Sequence, residues 1–162
     1  MVQQPPGVHV KVFSCRGRQI ALDIALGVCY LHSKGIIHFD LKGANVLLSK
    51  NLSAKISDVG LSKIMRGAAT TATQAGTWRW ASPEQISLER GVTLASDIWS
   101  LAVLVFDLCS NQGVRMKGRE VRRLSVPAEA PQAVQDLIDA CLVIDSAQRP
   151  SATEFYSRLL AA

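Results

Sequence analysis

Apolar positions along this 162-residue chain follow a helical period in some stretches, a strand-like clustering in others, and no period at all in one long segment. Between Arg16 and His32, the residues Ile20, Ile24, Gly27, Val28 and Leu31 recur at i, i+4, i+7, i+8 and i+11, which lines one face of an amphipathic helix. Ser33-Lys34-Gly35 stops that helix, with the glycine available for a left-handed cap. Gly35-Ile36-Ile37 is a short extended segment, and Val46-Leu47-Leu48 and Ala54-Lys55-Ile56 predict two short strands joined through the polar Lys50-Asn51-Leu52-Ser53 turn. Residues 61–76, rich in Gly, Ala and Thr, have no periodicity and predict a mobile loop, long enough that function is the natural reason for it.

Further along, Pro83-Glu84-Gln85-Ile86 opens a short helix. The stretch from Ser96 to Cys109 predicts another, apolar nearly all round and therefore central to the core. Two more helices are expected at 131–143 and 151–160, with Pro131 and Ser151 at their starts. Residues 1–10, with Pro5-Pro6-Gly7, read as an extended lead-in, and neither an internal repeat nor a coiled-coil heptad is present. The pattern is that of a mainly helical (α+β) domain over residues 16–162, preceded by a lead-in at 1–15.

Composition refines this picture modestly. The length suits one domain with a real core, and 48% hydrophobic with 6% aromatic residues implies a globular chain with an aliphatic interior. A net charge of +5 suits a nucleotide phosphate. The one basic run (Arg115, Lys117, Arg119, Arg122, Arg123) also holds Glu120 and reads as a solvated face, so no nucleic-acid partner is expected. Cys15, Cys29, Cys109 and Cys141 are far apart, which implies reduced thiols and an intracellular, cytoplasmic protein. The longest apolar run, Leu101 to Phe106, falls far short of the roughly 20 residues of a membrane span.

Candidate chemistry gathers between His38 and Gly60. The expected hairpin places Asn45 and Asp58 at its two outer ends, which brings a neutral oxygen and a carboxylate to one point. In chain order there follow His38-Phe39-Asp40 with Asn45 five residues on, Asp58-Val59-Gly60, Gly76-Thr77-Trp78-Arg79-Trp80-Ala81-Ser82-Pro83-Glu84, Ser96-Asp97-Ile98-Trp99-Ser100 and Gln148-Arg149-Pro150. Taken together and in this order, they resemble the C-terminal lobe of a eukaryotic-type protein kinase, a helical bundle with a small β-hairpin carrying the catalytic and magnesium loops. Lys42 matches the serine/threonine-specific pattern, and Gly-Thr-Trp-Arg-Trp looks most like the tyrosine-kinase-like group.

The resemblance implies ATP and Mg2+ as cofactors and a protein substrate. It implies that Asp40 accepts the substrate hydroxyl's proton and that Lys42 meets the γ-phosphate. Asn45 and Asp58 would hold magnesium, a hard cation that prefers oxygen, and Leu47 would lie against the adenine. Thr77 would bridge to Asp40 and Lys42, with Gly76 freeing the backbone beside it. Glu84 and Arg149 would form a buried ion pair, Asp97 would accept backbone hydrogen bonds from the catalytic loop, and His38 would be packed core.

Departures from the family pattern bear on function. Phe39 stands where regulated members carry an arginine that pairs with a phosphorylated loop, which weakens any switch through Thr70, Thr71 or Thr73. Val59 replaces a phenylalanine, and the segment between Cys109 and Pro131 is short. No glycine-rich phosphate loop or strand lysine precedes residue 16, so an incomplete domain of little activity on its own is expected. Such a domain would expose apolar surface for a protein covering the place of the N-terminal lobe. The alternative is a non-catalytic pseudokinase that binds a protein partner.

Overall fold

The computed structural model describes residues 15–59, 63–64, 79–87, 91–110 and 124–162; of Cys15 and of 63–64 only the backbone is described. The lead-in at 1–10, the basic run at 115–123 and most of the loop at 61–76 lie outside these residues. Helix α1 is Cys15–Ser33, followed by strand β1 (Ile36–Ile37), a 3-10 turn at Gly43–Asn45, β2 (Val46–Leu48), β3 (Ala54–Ile56) and β4 (Lys63–Ile64). Helices α2 (Pro83–Ser87), α3 (Leu94–Ser110), α4 (Gln132–Cys141) and α5 (Ala152–Ala161) complete the order.

Helix α1 buries the face that its apolar spacing marks out. Ile24, Val28 and Leu31 are buried and Ile20 packs against the same core. Gly27 belongs to this face because β3 comes very close there: a Cβ on Gly27 would stand 2.9 Å from the Ile56 Cδ1 atom. The helix stops at Gly35, whose φ of +66° is the left-handed value that glycine adopts without a steric penalty, and whose N–H donates to the His32 carbonyl at 2.9 Å. Asp23 ties the hairpin to the helix by accepting the Ala54 N–H at 2.9 Å.

Strands β2 and β3 pair antiparallel with Val46 opposite Ile56, Leu47 opposite Lys55 and Leu48 opposite Ala54. A second pair was not foreseen. Ile36–Ile37 bonds antiparallel to Lys63–Ile64, inside the stretch expected to be irregular, so the chain returns to its own entry strand after passing the hairpin. Two residues are too few for a periodicity signal, which is why the segment reads as loop from sequence.

Helix α3 is the central member: every residue from Ser96 to Phe106 is buried, as is Cys109. Against it pack α1, α4 and β1, while α5 lies on α1 and α4. Helix α4 ends at Cys141, two residues before the expected boundary, with Leu142 as its C-cap. Helix α5 starts on a reciprocal cap: Ser151 Oγ accepts the Glu154 N–H at 3.2 Å and Glu154 Oε2 accepts the Ser151 N–H at 2.8 Å. Cys29, Cys109 and Cys141 are free thiols, and burial pushes the last two up to about 12, so both stay protonated. Among the described residues, no helix is long and apolar enough to cross a membrane.

Phe155 is fully buried on α5 and is one of the largest side chains in the core. Phe155→Ala should lower the unfolding free energy by about 3–5 kcal/mol in a urea titration. A loss below about 1 kcal/mol would mean that α5 does not complete this core.

Candidate active site

The loop from His38 to Asn45 starts where β1 ends and is hung from α3 by one side chain. Asp97, 1% exposed in the first turn of α3, accepts the His38 N–H at Oδ2 (2.8 Å) and the Phe39 N–H at Oδ1 (3.1 Å). Phe39 has a φ of +70°, a left-handed conformation that costs a bulky residue of order 1–3 kcal/mol. Both amides gripped by one carboxylate stabilise that turn. On its other side, Gln85 of α2 donates from Nε2 to the Phe39 carbonyl at 2.9 Å while its Oε1 accepts the Ser82 N–H at 2.9 Å. The strained residue is therefore held at both its N–H and its C=O.

The turn so held leads into Asp40. Its Oδ2 lies 2.7 Å from Lys42 Nζ and accepts a hydrogen bond from Asn45 Nδ2 at 3.1 Å, while the same Nδ2 donates to the Asp40 carbonyl at 2.7 Å. Both amide protons of Asn45 are thus committed to Asp40. The Asn45 Oδ1 atom has no donor among the described residues, so its lone pairs remain available to a ligand.

The hairpin brings Ser57, the residue before Asp58, back to the Asn45 backbone. The ladder continues one step past the strands, where Asn45 O accepts the Ser57 N–H at 2.8 Å and the Ser57 hydroxyl at 3.1 Å. Asp58 follows at once, exposed and with a φ of +58°. A left-handed aspartate is less unusual than a left-handed phenylalanine, yet it is a second strained position in the same small region. Among the described residues no group of three or more His, Cys, Asp or Glu could hold a metal. One carboxylate and one amide oxygen nevertheless suit magnesium, which takes few protein ligands and completes its shell with water and phosphate oxygens.

His38 is fully buried, its Nε2 3.1 Å from the Ser57 carbonyl and its Nδ1 accepting the Asp40 N–H at 3.3 Å. Leu47 is 59% exposed, so it is not a buried strand leucine, and Val59 is 44% exposed. Gly76 and Thr77 lie outside the described residues.

Glu84 and Arg149 meet in a two-pronged buried pair, Nη1 to Oε1 at 2.7 Å and Nη2 to Oε2 at 2.9 Å. Ser96 Oγ adds a hydrogen bond to Oε1 at 2.8 Å, and the guanidinium also donates to the Ala95 and Val143 carbonyls and rests 5.0 Å from the Trp99 ring centroid. Burial alone would raise the Glu84 carboxyl, but the Arg149 hydrogen bond, together with the backbone, Ser96 and the cation's charge, holds it below the ordinary value of 4.5.

Three contributors escaped the sequence pattern: His32, Gln85 and Ser57. His32 closes the α1 stripe one residue after Leu31 and sends its Nε2 to Asp97 Oδ2 at 2.9 Å. No spacing rule marks a glutamine or a serine as a loop clamp, and only the shared motif environment of Gln85, next to Glu84, could have drawn attention to it.

A family model described as protein kinase domain matches residues 8–159. The chain belongs to the protein kinase family. It is 36% identical over 134 residues to Mitogen-activated protein kinase kinase kinase zak-1 of Caenorhabditis elegans, a match covering 75% of this chain and 18% of that one. It is 31% identical over 150 residues to a probable serine/threonine-protein kinase of Dictyostelium discoideum, covering 86% of this chain and 9% of the relative. Ephrin type-A receptor 5 of Gallus gallus is 35% identical over 150 residues, 84% of this chain and 15% of the receptor. The kinase-domain chain therefore spans well under a third of the length of each of these relatives.

The Glu84–Arg149 pair sets two expectations. Arg149→Ala leaves a buried carboxylate without its cation and should cost about 3–5 kcal/mol in urea unfolding. Because the Glu84 carboxyl is lowered in the folded state, its stabilisation is present above 4.5 and is lost as pH falls from there through the folded value. Glu84→Gln should flatten that part of the stability-versus-pH curve, and an unchanged acid limb would show that the pair does not govern it.

Proposed function

We propose that this chain is the C-terminal lobe of a serine/threonine protein kinase, which transfers the γ-phosphoryl group of ATP to a protein hydroxyl. The observation that carries the reading is the Asp40 constellation: Oδ2 is taken by Lys42 and Asn45, while Oδ1 has no donor among the described residues. A carboxylate fixed through one oxygen can orient a hydroxyl and take its proton through the other.

In this reading Lys42 neutralises charge on the transferred phosphoryl group. Asn45 Oδ1 and the Asp58 carboxylate are the magnesium ligands, and bound Mg2+ would supply charge neutralisation between the phosphates. Leu47 offers its exposed side chain as the lower wall for the adenine, as a leucine turned out of a strand can do. Gly76 and Thr77 keep the roles that the resemblance implies, with Thr77 reaching Asp40 and Lys42. Serine/threonine specificity rests on Lys42 together with the printed names of relatives such as the Dictyostelium kinase.

Leu47, Leu48 and Val59 are each exposed, and a second lobe or partner protein covers apolar surface of this kind in the working enzyme. Water exclusion over the phosphates depends on such a cover, so the 162 residues alone transfer phosphate slowly.

Two assays test the proposal. Mg-ATP should raise the thermal midpoint of the chain, the stabilisation approaching about 2.7 kcal/mol when ligand is a hundredfold above its dissociation constant, and Asp58→Ala should abolish the shift. Radiolabel transfer from ATP should reach serine and threonine peptides in preference to tyrosine peptides, and Asp40→Asn should reduce it about 10²–10⁴-fold. An equal shift in the Asp58 variant sinks the magnesium assignment, and undiminished transfer by the Asp40 variant sinks the proton acceptor.

A further inference from the structure

The carbonyl of Asn45 receives two hydrogen bonds from a single residue. Ser57 gives it the backbone N–H at 2.8 Å and the side-chain hydroxyl at 3.1 Å, two donors for the two lone pairs of one oxygen. The first bond is a rung of the hairpin ladder, one step beyond the pairing of Val46 with Ile56, and any residue but proline would supply it. The second exists only because residue 57 carries a hydroxyl.

The carbonyl of Ser57 in turn lies 3.1 Å from His38 Nε2, and His38 Nδ1 accepts the Asp40 N–H at 3.3 Å. Asp40 is bonded to the Asn45 amide at both its carbonyl and its Oδ2. Asp40, Asn45, Ser57 and His38 therefore close a ring of hydrogen bonds, in which Nδ1 of the histidine accepts and Nε2 carries the proton.

Its place in that ring gives the Ser57 hydroxyl a task. Ser57 is half-buried, while Asp58 after it is exposed and left-handed at a φ of +58°. The last rung of a two-stranded ladder opens readily, and a neighbour held in a sparsely populated backbone region favours that opening. A second bond to the same carbonyl, made by a side chain whose χ1 it fixes, opposes both.

We infer that Ser57 is a positioning residue for magnesium: its hydroxyl, bonded to the Asn45 carbonyl, couples the backbones of Asn45 and Asp58, the two residues assigned to the ion. The inference rests on the proposed nucleotide site for its consequence on metal binding, and on the hydrogen-bond ring alone for its consequence on the backbone. Ser57 acts on the ion through these two residues.

The test uses the whole 15N-labelled chain with its Ser57→Ala and Ser57→Thr variants. Alanine keeps the backbone rung and loses the hydroxyl bond, whereas threonine keeps both. In Ser57→Ala the amide at position 57 should exchange with solvent about tenfold faster and the Asp58 amide resonance should shift, and both should return in Ser57→Thr. The Mg2+ concentration that gives half of the thermal shift at saturating ATP should rise about tenfold in the alanine variant and recover in the threonine variant. The ATP midpoint measured in EDTA should stay where it is in all three proteins. Unchanged exchange at position 57 or an unchanged Mg2+ midpoint in Ser57→Ala overturns the inference. So does an equal loss of ATP binding in EDTA, or a threonine variant of sound thermal stability that leaves either change in place. Should the unmodified chain show no Mg2+-dependent shift, the proposed nucleotide site is what fails, and the amides at 57 and 58 still decide whether the hydroxyl couples Asp58 to Asn45.

Discussion

A single buried carboxylate, Asp97, sits where the helical core and the chemistry-bearing loop have to agree. Helix α3 is buried along nearly its whole length, so its position is set by the packing of α1, α4 and the strand before the loop. Asp97 transmits that position to two successive backbone amides and through them to a left-handed Phe39 that no isolated peptide would favour. Gln85 closes the grip from the other side. The rest of the candidate site follows from it: once Phe39 is turned, Asp40 meets Lys42 and Asn45, and the hairpin returns Ser57 to the Asn45 carbonyl.

The second buried charged cluster has a different task. Glu84 and Arg149 satisfy one another and several carbonyls, so the desolvation of both ions is met by hydrogen bonds as well as by attraction. The pair ties α2 to the turn before α5. Since α2 also carries Gln85, the pair's stability bears indirectly on the Phe39 turn. Two polar clusters built on the adjacent α2 residues Glu84 and Gln85 thus link the helical core to the loop.

Much of this was legible in the sequence wherever a period or an ordered motif existed. The α1 stripe, the hairpin and the α3 core follow from apolar spacing, because burial of one face is what spacing records. The Gly35 cap was legible because a stop signal there coincides with a residue free to take positive φ. What remained hidden was of two kinds. The pairing of Ile36–Ile37 with Lys63–Ile64 involves too few residues to carry a period. The contacts of His32, Gln85 and Asp23 are single polar side chains reaching across the fold, and a sequence shows the donor without showing the distant acceptor. The two left-handed non-glycine residues of the site, Phe39 and Asp58, were likewise hidden, since phenylalanine disfavours that conformation and aspartate tolerates it without requiring it.

Native-state amide hydrogen exchange at His38 and Phe39 tests the central role of Asp97 most directly. If the carboxylate anchors the loop to the core, both amides should exchange as slowly as those in the middle of α3, and Asp97→Asn should speed both while the α3 interior stays protected. Exchange at the rate of an exposed loop in the unmodified chain would contradict it.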